Sequence, residues 1–147
     1  MRIQKNERGA TILETALVLP ILFAVIFGIL EFGRAYNIFQ TVTNAAREGA
    51  RYSVAPFAAG ETNAGNLPDA TTQVVPLVQH FLLGDGIVVP DDHIVVVQNC
   101  SGTAACPAVN GIAVIYTQVT VTAPYNFAYF PFGTLNISAR AVMRNEN

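Results

Sequence analysis

The chain has 147 residues, 52% of them hydrophobic and 12% charged, and a net charge of −2. That length leaves room for one small domain with a modest core, and a charged share about half the usual one points to membrane or filament life. The few basic residues beyond Arg8 are scattered, so nothing resembles an electrostatic footprint for nucleic acid.

Residues 1–9 read as a basic leader, with Arg2, Lys5 and Arg8 against the single acid Glu7. An uncharged run of sixteen residues, Thr15–Leu30, lies just beyond, with a lone carboxylate, Glu14, at its mouth. The basic flank predicts a cytoplasmic leader and an exported remainder. No Lys or Arg occurs from Tyr52 to Ala139, which eases translocation. An acid in a membrane segment is costly without a cation, so Glu14 reads as a functional residue. Cutting after Gly9 would create that cation as the free amine of Ala10, one helical turn from Glu14. The cut chain would carry five arginines against nine acids, a charge of −4. A secretory signal peptide with Ala16 to Phe27 as its apolar region is the first competitor, but the flank Gly28 to Ala35 offers no clean small-residue site. A plain uncleaved anchor is the second, since the run approaches the roughly 20 residues of a span when Phe32 is included. Neither accounts for Gly9 followed five residues later by Glu14.

The helical pattern continues past the apolar run. Phe32, Tyr36, Phe39, Val42, Ala46 and Ala50 recur at spacings of three or four and predict one apolar stripe on a helix reaching Tyr52, before Pro56. A helix over 10–52 is about 65 Å long, twice the hydrocarbon thickness, so half of it is a stalk. Pro20 removes one backbone bond and predicts a kink. Ala24 and Gly28 form a small-xxx-small pair that would let another helix approach. Glu31 with Arg34, and Glu48 with Arg51, are spaced for weak exposed ion pairs.

Three motifs now stand in order: Arg8-Gly-Ala-Thr-Ile-Leu-Glu-Thr-Ala-Leu-Val-Leu-Pro20, Phe27-Gly-Ile-Leu-Glu-Phe-Gly-Arg34 and Asn44-Ala-Ala-Arg-Glu-Gly-Ala-Arg-Tyr52. Together they resemble the N-terminal block of the TadE-like family, pilin-like minor subunits of the bacterial tight-adherence (Flp) pilus system. The resemblance implies a prepilin peptidase acting at Gly9, with Ala10 as the first mature residue and Glu14 as the fifth. Many type IV pilins begin on an aromatic residue, and Ala10 departs from that wider pattern.

Residues 53–147 predict a small exported α+β head. Ser53 to Ala70, rich in Ala, Gly, Asn and Pro, reads as a loop. Val74, Leu77, Val78, Phe81 and Leu82 fit a short helix capped by Thr71 or Thr72, with Pro76 in its first turn or at its very start and Gly84 as its stop. Strands are expected over His93 to Gln98, Ala113 to Ala123 and Leu135 to Met143, forming an antiparallel sheet of three. The middle strand alternates, with Ile115, Val119 and Val121 on one side and Tyr116, Gln118, Thr120 and Thr122 on the other. Pro124 to Gly133 holds five aromatics in ten residues and reads either as a loop over the core edge or as a subunit contact.

Cys100 and Cys106 enclose five residues and, in an exported head, predict a disulfide contributing roughly 2 kcal/mol. Zinc is the sharper alternative, but His80 and His93 lack ligand spacing with the cysteines. Asp85, Asp91 and Asp92 could attract calcium, although Gly84-Asp-Gly86 and Pro90-Asp-Asp92 are ordinary turn sequences. Asn136-Ile-Ser138 matches a glycosylation acceptor inside a strand. There is no glycine-framed nucleophile and no phosphate loop, so no enzyme, cofactor, metal or small-molecule substrate is expected.

The resulting expectation is a processed, single-pass pilin-like subunit. It sits in the bacterial inner membrane with its N-terminus cytoplasmic, and acts in pilus assembly, initiation or secretion. Its expected partners are the membrane, the prepilin peptidase, other pilin-like subunits and the assembly platform. The alternative is a membrane-anchored exported binding module that never enters a fibre.

Overall fold

A computed structural model describes residues 7–55, 67–100, 115–129 and 133–145. One helix dominates it: α1, Glu7–Val54, running through Pro20 without a break. Its first half is bare. From Gly9 to Phe27 every residue is exposed, and from Glu31 onward one side of the helix is covered by the head. The stretch Gly9 to Leu30, exposed except for the half-buried Gly28, is about 33 Å long, matching the hydrocarbon thickness of a bilayer.

The head is an α+β unit. A π-helical turn, Ala70–Val74, leads into α2, Val75–Gly84, and a 3-10 turn, Asp91–His93, leads into β1, Ile94–Cys100. β2, Tyr116–Asn126, and β3, Thr134–Arg144, complete an antiparallel sheet in the order β1-β2-β3. Val119, Val121, Ala123 and Tyr125 of β2 lie on the core side with Ile137, Ala139 and Ala141 of β3, as β-branched alternation dictates. Val42, Ala45, Ala46 and Ala50 of α1 and Val74, Val78 and Leu82 close that core from the other layer.

The covered side of α1 differs from the expected stripe. Phe32, Tyr36 and Phe39 remain exposed, whereas the buried seam follows Glu31, Ala35, Ile38, Val42, Ala45 and Gly49. The two lines converge at Val42, Ala46 and Ala50. Small residues win because they let α2 and the sheet lie close to α1: a Cβ on Gly49 would stand 2.5 Å from a Val78 methyl of α2 and 3.4 Å from a Val119 methyl of β2. The large rings of Phe32, Tyr36 and Phe39 are left outside that close contact.

Two further boundaries move. Neither Thr71 nor Thr72 is a cap: Asp69 caps the π-helical turn, its carboxylate accepting from the Thr71 and Thr72 amides at 3.0 and 2.7 Å, and α2 continues from that turn with no side-chain cap of its own. Pro76 does lie in the first turn of α2. β2 runs on past the expected end at Ala123 to Asn126, because Pro124 and Tyr125 still pair with Asn136 and Leu135, and among the described residues it begins at Tyr116. Ala113 lies outside the described residues. At the far end of the sheet β1 is bulged, with Asn99 at φ 54°, a conformation Asn tolerates better than most residues. Asn145 donates to Asn99 and accepts from the buried Thr117 hydroxyl, both at 2.9 Å, so this polar end of the core is satisfied.

Candidate functional site

The bare half of α1 carries the processing and assembly candidates. Gly9, Ala10, Glu14, Pro20 and Ala24 are exposed and Gly28 is half-buried. No described side chain bonds the Glu14 carboxylate, and a Cβ at Gly9 or Gly28 would meet nothing within 4 Å. The fold therefore makes no demand for glycine at either position.

Where the head first touches the helix there is a polar clasp. The buried Glu31 carboxylate accepts from the Tyr125 hydroxyl at 2.6 Å and from the Ala128 amide at 3.0 Å, both through Oε1. Arg34, one turn further on, donates to the same oxygen at 3.3 Å and lies 5.6 Å from the centre of the Tyr125 ring. Phe127 meets Tyr125 edge-on at 5.2 Å, and Tyr129 stacks on Phe27 at 5.3 Å. Burial and the anion beside it push the Tyr125 hydroxyl above its usual range, which keeps it a donor.

This corrects the expectation for the Glu31 and Arg34 pair. The pair forms, but Glu31 is enclosed, and its stronger partner comes from β2, 94 residues away. Two signals could have revealed it: Glu31 is the only acid between Glu14 and Glu48, and Tyr125 continues the Val119, Val121, Ala123 alternation. The aromatic segment accordingly divides. Its first part extends β2 and packs on α1, while 130–132 lie outside the described residues.

The remaining candidates disperse. Cys100 is buried at the end of β1, and Cys106 lies outside the described residues. Asp85 accepts from the Thr41 hydroxyl at 3.2 Å on the wall of an open cleft of about 260 Å³ shared with Arg34 and Asn37. Asp91 accepts from Gln79, His93 Nδ1–H donates to the Thr122 carbonyl at 3.2 Å, and His80 is exposed on α2. Among the described residues no three His, Cys, Asp or Glu side chains cluster as metal ligands.

These features define a class: an α+β head built on the continuation of one N-terminal helix that is apolar and long enough to anchor it in a membrane in a single pass. Residues 9–51 match the family model of TadE-like protein, so the N-terminal block is TadE-like, and the match lies wholly within α1. Neither a curated protein nor a solved structure matches the chain.

Proposed function

We propose that this chain is a pilin-like minor subunit of a tight-adherence pilus, structural rather than catalytic, inserted in the bacterial inner membrane with its head outside the cytoplasm. The observation that carries the reading is the coincidence of the TadE-like block with α1, whose bare half holds Gly9 and Glu14 with no role in the fold. In this reading residues 1–9 form the leader, 10–52 the span and stalk, and 53–147 the head. A prepilin peptidase cuts after Gly9, and the new Ala10 amine neutralises Glu14 of its own or a neighbouring subunit. Pro20, Ala24 and Gly28 then adapt the span to neighbouring helices.

Gly9 lies in the first turn of α1, where a Cβ would meet nothing within 4 Å, so the described residues give no reason for glycine there. A peptidase that needs an unhindered, extended backbone accounts for it. Intact mass of the membrane-inserted protein from cells with a working pilus system is the test. A chain beginning at Ala10, with Gly9→Val retaining 1–9, is expected. The same spectrum reads the proposed bridge between Cys100 and Cys106 as the loss of two hydrogens. Residues 1–9 intact on the inserted protein would favour the anchored binding module instead.

A further inference from the structure

The clasp fixes the depth of the segment that follows β2. Phe27 belongs to the uncharged run, three residues or about 4.5 Å along the helix axis from its outer end at Leu30. Tyr129 stacks on it with ring centres 5.3 Å apart and planes at 26°, and Phe27 stacks in turn on Phe23 at 6.2 Å. A ring in contact with a side chain inside the span shares its depth. The segment cannot swing clear, because Tyr125 and Ala128 both hold Glu31. Tyr129 nevertheless stays half exposed, as does Leu135, the register partner of Tyr125 at the same end of the sheet. A tyrosine presenting an apolar ring and a polar tip at this level suits the boundary between headgroups and acyl chains.

We infer that the membrane-proximal end of the head, Tyr129 with Leu135 beside it, is seated in the lipid interface at which α1 leaves the bilayer. The protein then has a second lipid contact besides its span, and the head is held at a fixed tilt on the membrane surface until it is lifted away. The inference rests on the reading that Thr15–Leu30 spans the membrane.

The chain contains no tryptophan, so one substitution supplies a unique fluorophore. Full-length Tyr129→Trp, Phe27→Trp and Val142→Trp proteins are reconstituted in phosphatidylcholine vesicles, with and without bromine on the upper acyl chain. Val142 is exposed and pairs with Gln118, in the half of the sheet away from Tyr125. Tyr129→Trp is expected to lose a fraction of its emission close to that of Phe27→Trp and well above that of Val142→Trp. Leu135→Trp repeats the reading should Tyr129→Trp fold poorly. Adding Glu31→Gln and Tyr125→Phe should reduce quenching of Tyr129→Trp and leave Phe27→Trp unchanged. Quenched Phe27→Trp with unquenched Tyr129→Trp and Leu135→Trp overturns the inference alone, and blue-shifted but unquenched emission would assign this end to a protein contact. Unquenched Phe27→Trp would remove the spanning reading itself.

Discussion

Glu31 binds the head to its helix through a hydroxyl, an amide and a guanidinium that converge on one oxygen, Oε1. The Tyr125 hydroxyl is the shortest of the three, and a hydrogen bond to a charged group contributes about 1.5–3 kcal/mol. Tyr125→Phe is therefore expected to destabilise the head by that amount in denaturant unfolding of the detergent-solubilised protein. An unchanged midpoint would mean that the clasp adds nothing to folding. Gly49 acts by the opposite device, the absence of a side chain. Gly49→Ala must displace the stiff, β-branched Val78, an overpacking cost of about 1–3 kcal/mol, against a helix-propensity gain of about 1 kcal/mol. Net destabilisation is expected in the same experiment, and a gain would show that α2 shifts freely on α1. Neither residue was assigned its part from the sequence. An i,i+3 arginine is visible beside Glu31, whereas a tyrosine 94 residues away is brought there only by the sheet. Gly49 lies inside a motif whose spacing says helix but not which side is covered.

At the scale of elements the reading succeeds where one period governs and fails where a cap or an end decides. α1, α2 and the three strands are all expected from the sequence, because a long uncharged run, a 3.6 period, a two-residue alternation and, for the first strand, a β-branched run each favour one kind of element. The start of the π-helical turn that leads into α2 is not, since Asp69, Thr71 and Thr72 are all chemically able to cap. Asp69 takes the position because its carboxylate reaches two amides while Gln73 accepts its own N–H at 2.8 Å. The Thr72 amide and hydroxyl, then the Thr71 amide, hold its carboxyl below the usual aspartate range against the opposing effect of burial. A lowered folded-state value means the cap's contribution is complete above the unfolded aspartate value near about 3.9 and is lost as pH falls through the folded one. Thermal unfolding followed between neutral and acidic pH should show this loss, and Asp69→Ala should flatten that part of the profile. An identical acid limb in Asp69→Ala would assign the loss to other carboxylates.

As a whole molecule the chain is one helix used twice. Its second half is a wall of the head's core, and its first half is bare, with an acid and a dispensable glycine near the start. A plain anchor needs the apolar run but neither of those two residues, and this asymmetry is what the pilin-like reading accounts for. Glu14 is the point at which that reading is most exposed. Left unpaired in hydrocarbon it would cost at least about 2.5 kcal/mol, and nearby N-terminal helix charge favours but does not neutralise it. Recovery of partner subunits on processed Glu14→Ala protein, isolated from membranes of cells with a working pilus system, tests this directly. The account predicts normal cleavage, insertion and head folding with loss of the pilin-like partners; partner recovery equal to that of the unaltered chain, with normal piliation, would contradict it.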